Sequence, residues 1–310
     1  MSDSYGRGAL PLNNGTGKIP ALGFGTMIPD TDVTRLAVVS ALESGYRLLD
    51  CAAQNGNEIQ VGSALKAAIE GGAVRREDVT ISTKLWNTNH RPERVKAAFD
   101  ASRRRLGVEK IDLYMLHTPF AFPPEDEDAF GVTNGDASYD LNVTLLDTWQ
   151  ALESLVDEGV CGALGMANAG LDKIGMVYQS ARIKPAVVQV EAHPYLPQDG
   201  TRTFCAERNI VLQASSPLGH GVDPRLLNDP VVYGVSQKLG KTPAQVLLAW
   251  ALQRGTAPVA MSTSPDHIRE NLDLVPLPQD LFANINMGIT TRHRFNSVVE
   301  NGVPDFAAKS

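Results

Sequence analysis

The sequence predicts a single-domain (β/α)8 barrel, an eight-stranded TIM-type barrel spanning residues 1–310. Three observations carry that prediction. Eight short apolar runs recur along the chain, amphipathic helical stretches separate them, and polar side chains of catalytic type close several of the runs. Barrels of this kind build their active sites at the C-terminal ends of the strands, from the loops that follow.

The first element is ALPLNNGTGKIP, where Asn13, Asn14 and Gly15 supply the turn signal of a β-hairpin. The eight strands follow as ALGFGTM, YRLLDCA, VTISTKLW, IDLYMLHTP, GALGMAN, AVVQVEAHP, IVLQASSP and APVAMSTS. Several are apolar almost without interruption, the pattern of parallel strands buried on both faces. Between them, VTRLAVVSALESG and EIQVGSALKAAIEGG place apolar residues three and four apart and stop at glycine. RPERVKAAFDASRRRLG, LLDTWQALESLVDEG and TPAQVLLAWALQRG follow the same period. The last starts with Thr242 as N-cap and Pro243 at the first helical position.

A doubly wound sheet is the competing fold. Gly23 and Gly25 do not complete a GxGxxG turn because Ile28 stands where the third glycine belongs, and no acidic residue follows at the required strand end. Two long connections remain over the C-terminal face. FAFPPEDEDAFGVTNGDASYD lies between Pro119 and Leu141, and TTRHRFNSVVENGVPDFAAKS follows the last helix. Loops of that length on a barrel are usually functional, so both are expected to wall the site.

Composition narrows the function classes. With 43% hydrophobic and 20% charged residues and a net charge of −7 without a basic block, the chain lacks the signature of a nucleic-acid binder. Neither a signal-peptide core nor an apolar run of membrane-spanning length is present, so a cytoplasmic protein acting on a small molecule is expected. Cys51, Cys161 and Cys205 are scattered and form no CxxC, which indicates neither a disulfide framework nor a metal site. Cys51, beside Asp50, is read as a small buried hydrophobe.

The strand ends carry the chemistry. Asp50, Lys84 and His117 close the second, third and fourth runs, and Asn168, His193, Ser215, Ser216 and Ser262 close later ones. Each alone has an ordinary structural explanation; the three together on neighbouring strands do not. Glu191 and His193 are two apart, hence on one strand face, and a structural pairing is expected because no third ligand accompanies them.

These segments resemble the aldo-keto reductase family from about Ala9 to Pro304. LGFGTM resembles its opening strand, GYRLLDCAAQNGNEIQVGSAL its second strand, loop and helix with Asn57 and Glu58 in place. STKLW, LYMLHTP, VVQVEAHPYLPQ, ASSPLGHG and STSPDHIREN resemble the remaining motifs in order. The resemblance implies hydride transfer from NADPH, with NADH as an alternative, to a carbonyl compound. It implies that Asp50 holds Lys84 and that His117 orients the acceptor. A tyrosine hydroxyl ordinarily protonates the carbonyl oxygen, and here Asn55 stands at that position. An amide cannot give up a proton at accessible pH, and general acid catalysis typically contributes ~10²–10⁴-fold. Ketone reduction is therefore expected to be impaired, or the reaction shifted to a C=N group that arrives already protonated. A non-redox lyase or isomerase, a nicotinamide-binding protein, and an inactivating change in an ordinary reductase are the alternatives.

The resemblance also implies the cofactor contacts: Gly25, Thr26, Asp50, Asn168, Gln189, Ser215, Pro217, Leu218, Gly219, Ser262, His267, Glu270 and Asn271. Three of these regions depart from the pattern. Ala167 replaces a serine, Ser215 replaces the aromatic that stacks on the nicotinamide, and Met261 and His267 replace the cations that clamp the 2′-phosphate. Losing charge-assisted phosphate contacts weakens selection for NADPH. The small residues Asn55, Ala167, Ala169, Ser215 and Ser216 together suggest a roomy pocket, with Met27, Trp86 and Phe120 as its walls.

Overall fold

The computed structural model describes residues 5–124 and 139–296. Its first elements, β1 (Ala9–Pro11) and β2 (Lys18–Pro20), pair antiparallel with Ala9 opposite Pro20. Gly15 takes φ 72° at the turn, a conformation that costs glycine nothing. The hairpin covers the N-terminal mouth of the barrel. Asn13 donates to the Pro185 carbonyl and Asn14 to that of Gly162, while Ile19, Leu10 and Leu12 pack on Leu48, Met115, Val187 and Val211.

Eight parallel strands then close into the barrel: β3 (Gly23–Gly25), β4 (Leu48–Asp50), β5 (Thr80–Leu85), β6 (Ile111–Leu116), β7 (Cys161–Ala167), β8 (Val187–Glu191), β9 (Val211–Ser215) and β10 (Ala257–Ala260). Each pairs with the next, and β10 returns to β3. They are the eight runs read from the sequence. Their near-continuous apolar character follows from two packed faces: on β6, Leu113 and Met115 join the inner cluster, Tyr114 and Leu116 the outer one.

The helices are α1 (Thr31–Ser44), α2 (Glu58–Glu70), α3 (Pro92–Leu106), α4 (Leu145–Asp157), α5 (Leu171–Ser180), α6 (Asp199–Glu207), α7 (Pro230–Leu239), α8 (Pro243–Gln253), α9 (Pro265–Glu270) and α10 (Gln279–Gly288). Thr242 caps α8 as expected: its hydroxyl accepts from the Gln245 N–H, and the Gln245 side chain accepts in return from the Thr242 N–H. Gly62 lets α2 meet the end of α3, where an added Cβ would stand 2.6 Å from the Leu106 carbonyl oxygen. No helix among the described residues is long and apolar enough to cross a membrane. The two expected loop walls fall largely on 125–138 and 297–310, outside the described residues.

Candidate active site

The parallel register sets the site. Asp50 stands opposite Ser82, and Lys84 lies two residues further along the same face of β5. Its ammonium therefore reaches back to the end of β4. Lys84 Nζ donates to both carboxylate oxygens of Asp50 and to the Cys51 carbonyl, each at 2.9 Å, and the Ser82 hydroxyl adds a bond of 3.1 Å to Asp50. An ammonium has three N–H bonds, and all three are engaged. The two side chains are 6% and 11% exposed. A buried charge stripped of its partner destabilises by roughly 3–5 kcal/mol. Asp50→Asn is expected to cost about that much, read as a lower midpoint in urea unfolding; an unchanged midpoint would mean that the pair is solvated.

His117 follows β6, with its backbone N–H on the Leu85 carbonyl. Its ring meets Trp86 edge-on, centroids 5.1 Å apart, and its Nδ1 is buried without a partner. Burial lowers its pKa to about 3, helped by the positive charge of Lys84 and by the nearby His90. The imidazole is therefore neutral at physiological pH. His90, which the sequence reading did not single out, is 1% exposed and lowered to about 3 by burial alone.

Asn55 ends a one-turn 3-10 helix after β4, half-buried, with Gly56 in the left-handed conformation behind it at φ 66°. Its backbone N–H bonds to Ala52, and no bond joins its side chain to Lys84, whose three donors point to Asp50 and Cys51. Around it, bracing is tight. Asn57 donates to the Thr26 and Ile28 carbonyls, the Thr26 hydroxyl donates to the Asp50 carbonyl, and buried Glu58 accepts from Thr83 and Arg105. Thus Asn57, Glu58 and Thr26 fix the backbone beneath the site. Trp86 packs with Phe122, Phe120 and Tyr139 into an aromatic wall, and Met27 stands 55% exposed.

The residues expected at the cofactor fall along the remaining strand ends. Asn168, at φ 52°, donates its amide to the His117 carbonyl at 2.9 Å and so ties β7 to β6. Gln189 donates to Gln213 across the β8–β9 pair. Ser215 ends β9 half-buried, and Pro217, Leu218 and Gly219 form the loop beyond it; an added Cβ at Gly219 would touch Phe295. Ser262 precedes α9 and accepts from the Ser264 N–H. His267 and Met261 are exposed, Glu270 accepts from the Thr242 hydroxyl, and Asn271 is buried with its side-chain oxygen lacking a donor. Gly25 is buried on β3 next to β10.

Two expectations need correction. Ala169 does not line the pocket; it packs outside the barrel with Ile174, Val177 and Val190, because the chain has left the strand and turned toward α5. His193 lies beyond β8, not on its face. It still reaches Glu191 at 2.9 Å, because a short bridge to Leu196 turns the chain back. Glu191 also accepts from the backbone N–H groups of Phe295 and Asn296, at 2.6 and 2.8 Å. The pair is thus a latch for the C-terminal segment. Asn296 continues the latch to the Ser216 hydroxyl at 2.9 Å. No group of three potential metal ligands occurs among the described residues. All three cysteines are buried and free, with the Cys51 thiol pushed up by burial.

The model of the Aldo/keto reductase family matches residues 12–287. Aldo/keto reductase slr0942 of Synechocystis sp. is 44% identical over 273 residues, 85% of this chain and 82% of the relative. Aldo-keto reductase family 1 member A1 of Cricetulus griseus is 40% identical over 265 residues, 83% of this chain and 82% of the relative. Among solved structures, the Bombyx mori aldo-keto reductase in complex with NADP superposes with a TM-score of 0.85 at 31% identity, covering 94% of this chain and 95% of that one.

Proposed function

The chain belongs to the aldo-keto reductase family, and on that premise we propose that it reduces a protonated C=N group with a nicotinamide cofactor. One observation carries the reading: among the described residues, no side chain at the site is placed to give a proton. Asn55 is an amide, the three N–H bonds of Lys84 are engaged, and His117 is neutral. A ketone needs an acid at its oxygen as hydride arrives. An iminium does not. Hydride adds to its carbon, the C=N π pair moves to nitrogen, and the positive charge there is cancelled, so an amine forms without proton transfer.

A nicotinamide cofactor such as NADPH would supply that hydride when bound. The residues fit such a group: Asn271 offers a buried oxygen without a donor beside Ser262, His267 and Glu270, and the half-buried Ser215 leaves room at the end of β9. With Met261 and His267 in place of cations, NADH serves as well. Asn55 Oδ1 and the neutral His117 accept from the iminium N–H and hold it in place. Asp50 balances the charge of Lys84, which spares a cationic substrate its repulsion. The engagement of Lys84 also counts against its use as the acid or base of a lyase.

Matched ketone and cyclic imine substrates, assayed with NADPH and with NADH, test this. The imine is expected to be favoured in kcat/KM by ~10²–10⁴-fold, with a rate that falls as pH passes the substrate's own pKa. Equal ketone and imine turnover would sink the reading, and turnover without nicotinamide would replace it with a non-redox one.

A further inference from the structure

A cleft of ≈ 390 Å³ opens on the flank of the barrel, between α6, α8 and α10 and lined by none of the proposed active-site residues. Its floor is Arg254, whose side chain is 6% exposed and lies over the Trp250 ring at 4.4 Å. Arg254 Nη2 donates to Asp199 at 2.8 Å, while its Nη1 is buried and finds no acceptor among the described residues. Arg202 Nε is buried without a hydrogen-bond acceptor as well, standing 3.6 Å from the same Asp199 oxygen. At the rim, Arg292 is held by the Ile289 and Thr291 carbonyls. Among the described residues lining the cleft, three guanidinium groups against one carboxylate leave +2, in a chain whose net charge is −7. Burial and the neighbouring Arg202 lower the Arg254 pKa to about 10, so Arg254 stays cationic at neutral pH and an anion would relieve the repulsion. Half-buried Phe282 and Pro197 add an apolar wall.

We propose that this cleft is a binding site for a small organic phosphate, distinct from the cofactor site. A phosphate monoester carries close to −2 at neutral pH and presents oxygens that guanidinium forks match. A volume of ≈ 390 Å³ suits a small ligand with an aromatic or short aliphatic body against Phe282 and Pro197. Asp199 restrains Arg254 and Arg202 from one side and leaves their unmatched N–H groups to the ligand.

Calorimetric titration with phenyl phosphate and with inorganic phosphate, on protein held in about 1 mM NADP⁺ to occupy the nucleotide-phosphate site, tests the assignment. Phenyl phosphate is expected to bind in the submillimolar range and inorganic phosphate about fivefold more weakly, the difference reporting the apolar wall. Arg202→Ala and Arg292→Ala should each weaken phenyl phosphate by roughly fivefold or more without altering the far-ultraviolet circular dichroism. Arg254→Lys, which keeps the charge but loses the planar fork, should weaken it comparably. Absence of binding to the unaltered protein up to about 10 mM, or unchanged affinity in both alanine variants, overturns the proposal and leaves the cleft to water.

Discussion

Replacing Asn55 with tyrosine is expected to raise ketone reduction by about 10²–10⁴-fold, the usual contribution of a positioned general acid. The backbone needed for it is in place. Asn55 ends a short 3-10 turn fixed by Gly56 and by bonds from Asn57 to the loop after β3, and it is half-buried, so a larger ring has an outlet. The ammonium of Lys84 is less ready. It must turn one N–H from the Cys51 carbonyl toward the new hydroxyl, while keeping its two bonds to Asp50. That exchange conserves the bond count, so the gain should survive. Asn55→Phe is the control: it adds the same bulk without a proton and should leave ketone reduction where it was. If the tyrosine variant gains nothing, the deficit lies on the cofactor side, at Ala167, Ser215 and the missing phosphate cations, and not at position 55. A gain shared by the phenylalanine variant would point to pocket volume. Imine reduction by the tyrosine variant, in contrast, should change little, because its substrate already carries the proton.

The barrel was legible because its signal is local and repeated. Each strand is buried on two faces, so the run itself is apolar, and α1, α2, α3, α4 and α8 run eleven residues or more at helical spacing. The helices α5, α6, α7, α9 and α10 are only six to ten residues long, which gives periodicity too few turns to show. The Asp50–Lys84 contact was legible for a different reason: parallel pairing puts the ends of successive strands side by side, so residue type and strand order suffice. What escaped depends on distant partners. The structural pairing of Glu191 with His193 was expected, but not what it holds: Phe295 and Asn296, more than a hundred residues later, bring their N–H groups to the carboxylate. His90 gave no signal because burial behind β5 and α4, where Thr148 bonds to its carbonyl, is a property of packing. The engagement of Lys84 by Cys51 likewise uses a backbone oxygen, and no side-chain pattern records that.

That buried His90 sets the second large effect, a loss of stability in mild acid. Its folded pKa of about 3 lies below the ordinary value near 6.5, so the unfolded chain takes up a proton that the folded chain refuses. The sign follows from linkage: the contribution is fully present above about pH 6.5 and is lost progressively as pH falls toward 3. For one such group the slope is about 1.4 kcal/mol per pH unit. His117 acts in the same direction and window, but it is half-buried, and solvent screening reduces its share. Carboxylates with lowered pKa, such as Asp140 and Glu191, lose their contribution progressively from about pH 5 downward, so the interval between pH 6 and 5 isolates the histidines, among which His193 is also lowered by burial. Urea unfolding midpoints measured across that interval should fall steeply for the unaltered protein. His90→Gln keeps the backbone carbonyl that Thr148 uses and removes the titration, so its stability should be flatter by about 1.4 kcal/mol per pH unit. Parallel slopes for the two proteins would show that His90 titrates as freely folded as unfolded, and would place the acid sensitivity elsewhere. Because His90 also depresses the pKa of His117, the same variant should move any titration of His117 upward, which histidine proton shifts in the magnetic resonance spectrum would report.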